Sequence, residues 1–372
     1  MATNKNERLM TVTISGFKSI SSQKPLTIDL GNINILLGAN GSGKSNIISF
    51  FKMLNYMMSG NLQLFVEKAG TGQVFLYYGS KQTSLITGKM CFENETHTND
   101  YTFKLTHASP DRLIITSEEI VWGRKERGKQ TILLSSDFKE SGLINNSDQT
   151  AKVIHKILSN CKVYQFHDSS AESPIRQSSR IEFSDYFQSE GNNLASFLYS
   201  LKINYSTNYQ RIVSYIRQIM PQFNNFYLVP NERGYIMLKW TDKSPNDYIL
   251  LPEQFSDGTI RFIALATLLL QPKKTMPDVI LIDGPELGLH PFAITQLAEM
   301  IKEASKSTQI IVATQSPGLV DEFKANQITI IERDEESEST VARKLNEIEL
   351  ADWLGNYSLS ELWDKNVLGG RP

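Results

Sequence analysis

The stretch "INILLGANGSGKSNIISFF", Ile33 to Phe51, decides the fold. An apolar run ends in a glycine-rich turn and passes into a helical pattern, with Gly60 as its C-terminal stop. The middle of the stretch, Gly38 to Ser45, fits GxxxxGK[ST] in full. The glycines are needed for steric reasons. Backbone N–H groups must curl around an oxyanion in conformations that a Cβ obstructs. A helix beginning near Lys44 adds its positive dipole end. Gly38, Asn40, Gly41, Gly43, Lys44, Ser45 and Asn46 are therefore candidate nucleotide contacts. Lys44 is read as reaching the β- and γ-phosphates, and the Ser45 hydroxyl as a Mg²⁺ ligand. A guanine-reading NKxD does not accompany the loop, so other segments must choose the class of enzyme.

The rest of the chain sets the bounds. Its 372 residues suit one large α/β domain or two lobes of one domain. Apolar content of 40% and charged content of 21% are those of a soluble globular protein. A net charge of -2 gives no global pull on nucleic acid, so any such contact needs a local basic patch. Cys91 and Cys161 form no CxxC and read as reduced thiols. The start lacks a signal-peptide core, and no apolar run reaches the ~20 residues that span a bilayer. A cytoplasmic protein without a membrane segment is expected.

Three regions are expected within one head spanning 1–372. Residues 1–135 hold the loop and an antiparallel β subdomain, in which "QVFLYYGS", "SLITGKMCFEN", "DYTFKLTHA" and "DRLIITSEEIVW" read as short strands. Residues 136–240 are mainly helical, with Ile212, Val213, Ile216 and Ile219 at helical spacing before Pro221. A hairpin turning at Asn231 to Gly234 follows. Residues 241–372 carry an apolar helix and the runs "DVILID", "TQIIVATQS" and "QITIIERD", which read as buried parallel strands. The helix "FAITQLAEMIKEA" between the first two completes a βαβ unit. The acidic run Arg333 to Ser339 reads as a solvated loop.

Three later segments carry chemistry. In "LPEQFSDGTIRF", Ser256 precedes a long apolar helix, with Gly258 and Thr259 in its first turn. Such a serine is an ordinary N-cap or an anion site. Two phosphate sites this far apart in sequence suit two molecules set head to tail. In "LIDGPELGLHP", a buried strand ends at Asp283, the expected Mg²⁺-side carboxylate. In "ATQSPGLVD", Gln315 stands at a strand end where it could face the γ-phosphate.

In this order the segments resemble the ABC-type ATPase heads of the SMC/RecF/OLD group. "ISGFKSI" matches the group's N-terminal strand, which implies that Lys18 lies near the nucleotide. "FSDGTIR" stands where the ABC signature belongs, and "ATQSPGLVD" where the switch segment does. "VYQFHDSS" and the tail "YSLSELWDKNVLGGRP" resemble segments of small stand-alone bacterial members. That likeness implies that Gln165 or His167 does the work of a Q-loop, with Gln165 sensing Mg²⁺. The implied fold is an α/β, ABC-type P-loop head with a mixed or parallel core sheet, an antiparallel β subdomain and a helical lobe. The implied cofactors are ATP and Mg²⁺. The implied partners are a second copy of the chain, in a dimer or higher oligomer, and a separately encoded effector such as a nuclease, in defence against phage. Nucleic acid contact is left open, and a RecF-like repair ATPase is the alternative motor.

The chain departs from the group at Gly284, where a glutamate usually orients the attacking water. Losing such a base typically costs about 10²–10⁴ in rate. Three readings follow. The chain is a slow ATPase whose long-lived ATP dimer is the signal, Glu286 substitutes for the missing base, or the glycine is an inactivating change in this particular chain; the competing class is a non-catalytic, ATP-bound scaffold that sequesters a toxic partner.

Overall fold

The computed structural model describes residues 7–124, 129–134, 138–244 and 248–370. The chain divides into two compact units, Met1–Lys162 with Lys324–Pro372, and Val163–Phe323.

In the first unit, a six-stranded antiparallel sheet runs in the order Leu26–Asp29, Arg8–Ser15, Leu85–Glu93, His97–Ala108, Arg112–Arg124, Lys129–Leu133. Along Leu85–Glu93 every second residue is buried, which is the pleat's period of two. The buried face grips the helix Lys44–Met58 through aromatic rings. Phe50 stacks on Phe103 at 6.1 Å, and Phe17 meets Phe50 edge-on at 5.5 Å. Gly88 makes room for this contact, since a Cβ there would lie 2.4 Å from the Phe103 ring. The strand Ile33–Leu37 is buried at all five positions and runs parallel to Ile328–Asp334. The latter turns back as an antiparallel hairpin into Ser339–Lys344.

"QVFLYYGS" is not a strand. Gly72–Phe75 forms a 3₁₀ turn, because the Thr71 side chain accepts the Gln73 N–H and Phe75 turns inward onto Phe65 and Phe17. Packing of one aromatic ring outweighs the local β preference.

In the second unit, Val279–Asp283 and Gln309–Thr314 pair in parallel and are buried throughout, with the helix Pro291–Ala304 between them in sequence. Three more helices surround this unit's core: Leu194–Asn204, Ser206–Ile219 and Asp257–Leu270. The segment from Phe223 to Asp242 is a hairpin whose strands Phe223–Tyr227 and Lys239–Asp242 pair directly. It turns at Asn231 to Gly234, where the Gly234 N–H reaches the Asn231 carbonyl at 2.9 Å. Its inner residues Tyr235–Ile236 pair instead with Ser179–Arg180.

Among the described residues of the β subdomain, Glu118 is a buried carboxylate. Glu118 is 3% exposed and accepts bonds from the Tyr101 and Ser141 hydroxyls, and from the Gly142 N–H at 2.7 Å. Removing the acceptor strands two buried hydroxyls and the half-buried Gly142 N–H. Glu118→Ala is expected to destabilise the protein by about 3 kcal/mol, read from the urea midpoint. A loss near zero would mean that the donors find other partners.

Candidate nucleotide site

The phosphate loop lies in the first unit, between Ile33–Leu37 and Lys44–Met58. Its shape excludes side chains at two of its glycines. A Cβ at Gly38 would lie 2.2 Å from the Ile331 carbonyl oxygen, and one at Gly43 2.0 Å from the Thr340 hydroxyl. Gly43 also has φ +107° and Gly41 φ +81°, both in the left-handed region. Gly41 is the open lip, with nothing described within 4 Å of its Cβ position. Among the described residues no side chain caps the helix N-terminus at Lys44. This is a cradle that Cβ atoms would fill, ending at a helix dipole, and it fits a polyphosphate.

Side chains reinforce it. The Thr340 hydroxyl donates to the Ser42 carbonyl at 3.0 Å and meets the Ser19 hydroxyl at 2.7 Å. Asn46 Nδ2 donates to the same Ser19 oxygen at 2.6 Å. Lys44 Nζ donates to the carbonyls of Gly38 and Ala39, at 2.7 Å each. The Ser45 side chain is exposed. Lys18, at φ +51°, donates to Ser49 Oγ at 2.8 Å and lies 5.5 Å from the Phe75 ring centre. Burial, and then the nearby Lys52 charge, hold its pKa below the usual lysine range. A cavity of about 500 Å³ opens beside Lys18, Ser19 and Asn46, walled by Val74, Leu76 and Tyr78. The acidic run expected as a plain solvated loop is the tip of the hairpin Ile328–Asp334 to Ser339–Lys344. Glu332, Asp334, Glu335 and Glu336 line a second cavity of about 830 Å³ against Ala39 to Ser42.

In the second unit, Asp283 ends its strand at 9% exposure. Gln165 Nε2 donates to Asp283 Oδ2 at 3.0 Å, and His167 Nε2 lies 2.9 Å from the Asp283 carbonyl oxygen. Residues from two separate motifs therefore meet. Gly284 follows at φ +56°, and its N–H donates to the Ala313 carbonyl at 2.8 Å. A Cβ there would lie 3.0 Å from Leu287 and 3.3 Å from His167 Nε2. Glu286 is 8% exposed. One of its oxygens accepts the Gln315 N–H at 3.2 Å, and the other has no hydrogen-bond partner among the described residues. Burial raises its pKa, while hydrogen bonds from Thr314 and the Gln315 backbone act the other way. The Gln315 side chain is exposed at the strand end.

Ser256 caps the helix Asp257–Leu270, its Oγ accepting the Thr259 N–H at 3.2 Å. Its side chain stays exposed. Gly258 is required here, because a Cβ would lie 2.2 Å from the Gly288 carbonyl. Two arginines that the motifs did not single out hold the region. Arg176, 4% exposed, donates to the carbonyls of Ser169, Pro252 and Phe255 and pairs with Asp257 at 3.0 Å. Arg261 donates to the carbonyls of Phe166, His167 and Leu287. The arginines within "PIRQ" and "TIRF" carried no spacing signal, since their partners are mostly backbone oxygens.

Fold and site together define an ABC-type, SMC-like P-loop ATPase domain. Residues 33–321 match the AAA_21 family, described as "AAA domain, putative AbiEii toxin, Type IV TA system", and the chain belongs to that family. No curated protein matches it in sequence. Among solved structures, an SMC head bound to the C-terminal winged-helix domain of ScpA is 15% identical, with TM-score 0.61 over 93% of this chain and 99% of that one. An SMC head with an extended coiled coil, bound to the C-terminal domain of ScpA from Pyrococcus furiosus, is 15% identical, with TM-score 0.57 over 94% and 99%. At this identity the likeness concerns the fold.

The left-handed turn at Gly284 has a measurable cost for any side chain. Gly284→Ala is expected to lose about 1–2 kcal/mol of stability, the penalty of an L-residue in that conformation. An unchanged melting temperature would show that the turn relaxes freely.

Proposed function

We propose that the chain binds ATP with Mg²⁺, pairs head to tail with a second copy around the nucleotides, hydrolyses ATP slowly, and thereby controls a separately encoded effector in bacterial defence against phage. The observation that carries ATP binding is the cradle at Gly38 to Ser45, shaped so that side chains at 38 and 43 cannot enter. ATP supplies the phosphoanhydride bond, and Mg²⁺ neutralises charge on its oxygens. On this reading Lys44 leaves or shares the Gly38 and Ala39 carbonyls to meet the phosphates. Ser45 is the metal ligand offered by the phosphate loop, and within the second unit Gln165 keeps the Asp283 carboxylate oriented for its metal-side role. The 500 Å³ cavity beside Lys18 takes the base, because the acidic wall on the other side of the loop repels an anion. Ser256, exposed at a helix N-terminus, serves the partner copy's γ-phosphate.

Slow turnover follows from the residues beside Asp283. Position 284 offers no carboxylate. Glu286 is buried and turned onto the Gln315 backbone, which keeps it from bulk water. His167 and Gln315 are exposed polar groups that can still orient a water. The family description supports a toxin-related setting. The two SMC heads, each bound to a domain of a separate protein, support a separate partner. No helix among the described residues is long and apolar enough to cross a membrane. The glycine at 284 also favours a second reading, an ATP-bound scaffold that sequesters a toxic partner without turnover.

Three variants test this. Lys44→Ala is expected to abolish binding of a fluorescent ATP analogue, and retained affinity in a folded variant would overturn the assignment. Ser256→Arg is expected to keep nucleotide binding and lose ATP-dependent pairing by light scattering, and persistent pairing would remove Ser256 from the interface. Glu286→Gln is expected to change single-turnover hydrolysis by less than ~10-fold, below what a positioned base contributes. A collapse of brisk turnover in that variant would mean that the base has moved to Glu286.

A further inference from the structure

The segment "LWDKNVLGG", Leu362 to Gly370, marked the family resemblance without receiving a task. In the structure it is a folded element of the first unit. Ser358 and Glu361 form a reciprocal cap for the helix Leu359–Asp364, and Leu362, Trp363 and Leu368 are buried. Its end then crosses to the phosphate loop. The Gly370 carbonyl accepts the Ala39 N–H at 3.0 Å, and the Gly370 N–H donates to Glu332 Oε2 at 2.9 Å. The Leu368 carbonyl accepts from Arg343. Gly369 and Gly370 lie at φ +71° and +78°. A Cβ would fall 2.9 Å from Glu332 Oε2 at the first and 2.7 Å from Ile330 Cγ2 at the second. The pair is glycine because the backbone must pass this close and in this conformation.

Ala39 is also where the loop's lysine is held. Lys44 Nζ rests on the carbonyls of Gly38 and Ala39. Gly38 is seated against the Ile331 carbonyl, with no room for a Cβ. One end of that carbonyl pair is thus fixed by the hairpin strand and the other by the tail. We infer that Leu368–Gly370 is a positioning element of the phosphate cradle: by holding Ala39 it sets the carbonyl pair on which Lys44 rests, and so sets nucleotide affinity. This rests on the ATP-binding reading above. Gly370 touches no phosphate and acts through Ala39 and Lys44. Glu332 has two opposed effects. As an anchor for Gly370 it favours binding, and as a negative charge beside the loop it opposes binding.

The test is titration of the full chain with a fluorescent ATP analogue and Mg²⁺, alongside steady-state hydrolysis and a thermal melt. Gly370→Ala is expected to weaken binding at least ~5-fold, the order of one lost hydrogen bond, and to raise the half-saturating ATP concentration more than it lowers the maximal rate. Glu332→Gln removes the charge but keeps an oxygen that can accept the Gly370 N–H, whereas Glu332→Leu removes both. Glu332→Leu is therefore expected to bind at least ~5-fold more weakly than Glu332→Gln, the order of one lost hydrogen bond. A simple electrostatic role would make the two neutral variants bind alike. Equal affinity of folded Glu332→Leu and Glu332→Gln, or unchanged binding in a folded Gly370→Ala, overturns the brace and leaves the ATPase reading standing. A wild-type chain that binds no ATP analogue overturns both.

Discussion

Contact between Thr340 and the phosphate loop is the constraint on which the first unit turns. The Thr340 hydroxyl occupies the space a Gly43 side chain would need, donates to the Ser42 carbonyl and meets Ser19. Each bond alone is worth only about 1 kcal/mol. Their effect is geometric, because they join segments 298 and 321 residues apart at one oxygen. Fixing Gly43 in the left-handed region costs about 0.5–1 kcal/mol in backbone entropy. The hairpin Ile328–Asp334 to Ser339–Lys344 and the aromatic packing of Phe50 on Phe103 offset that cost. The helix behind the loop therefore cannot retreat, and the loop cannot collapse inward.

The second unit solves a similar problem with guanidinium groups. Arg176 and Arg261 together bind carbonyls of the 166–169 segment, of the approach to Ser256, and of the turn after Glu286. A guanidinium has five N–H donors in a fixed plane and suits several oxygens at once, which lysine does not. Burial of Arg176 is tolerated because its donors are taken up by carbonyls and by the Asp257 carboxylate. Through these contacts the segment bearing Gln165 and His167 and the turn bearing Ser256 share supports.

Much of this was legible in the sequence where the chemistry is local. The loop, its strand and its helix are contiguous, so their spacing states their geometry. Asp283 sits at the end of a fully apolar run, and Ser256 just before one, so both could be placed on their elements. The convergence of Gln165, His167 and Asp283 rested on resemblance alone, since 118 residues separate Gln165 from the Asp283 carboxylate it bonds. Thr340, Arg176 and the Gly370 contact left no readable trace, because each meets mostly backbone atoms, which every residue type presents, and side chains far away in sequence. The turn at Gly72–Phe75 was misread for the related reason that burial of Phe75 is decided by distant rings.

The glycine at 284 ties these arguments together. A left-handed residue after Asp283 lets the 284 N–H reach the Ala313 carbonyl and then turns Pro285 and Glu286 back toward the neighbouring strand. Glu286 is thereby buried and bonded to the Gln315 N–H. The missing carboxylate and the displaced one are consequences of the same turn. A residue in ordinary backbone conformation at 284 would give up this arrangement. The chain keeps a buried aspartate at the strand end with the Gln165 amide that orients it, and uses the adjacent position for backbone geometry rather than for a second carboxylate.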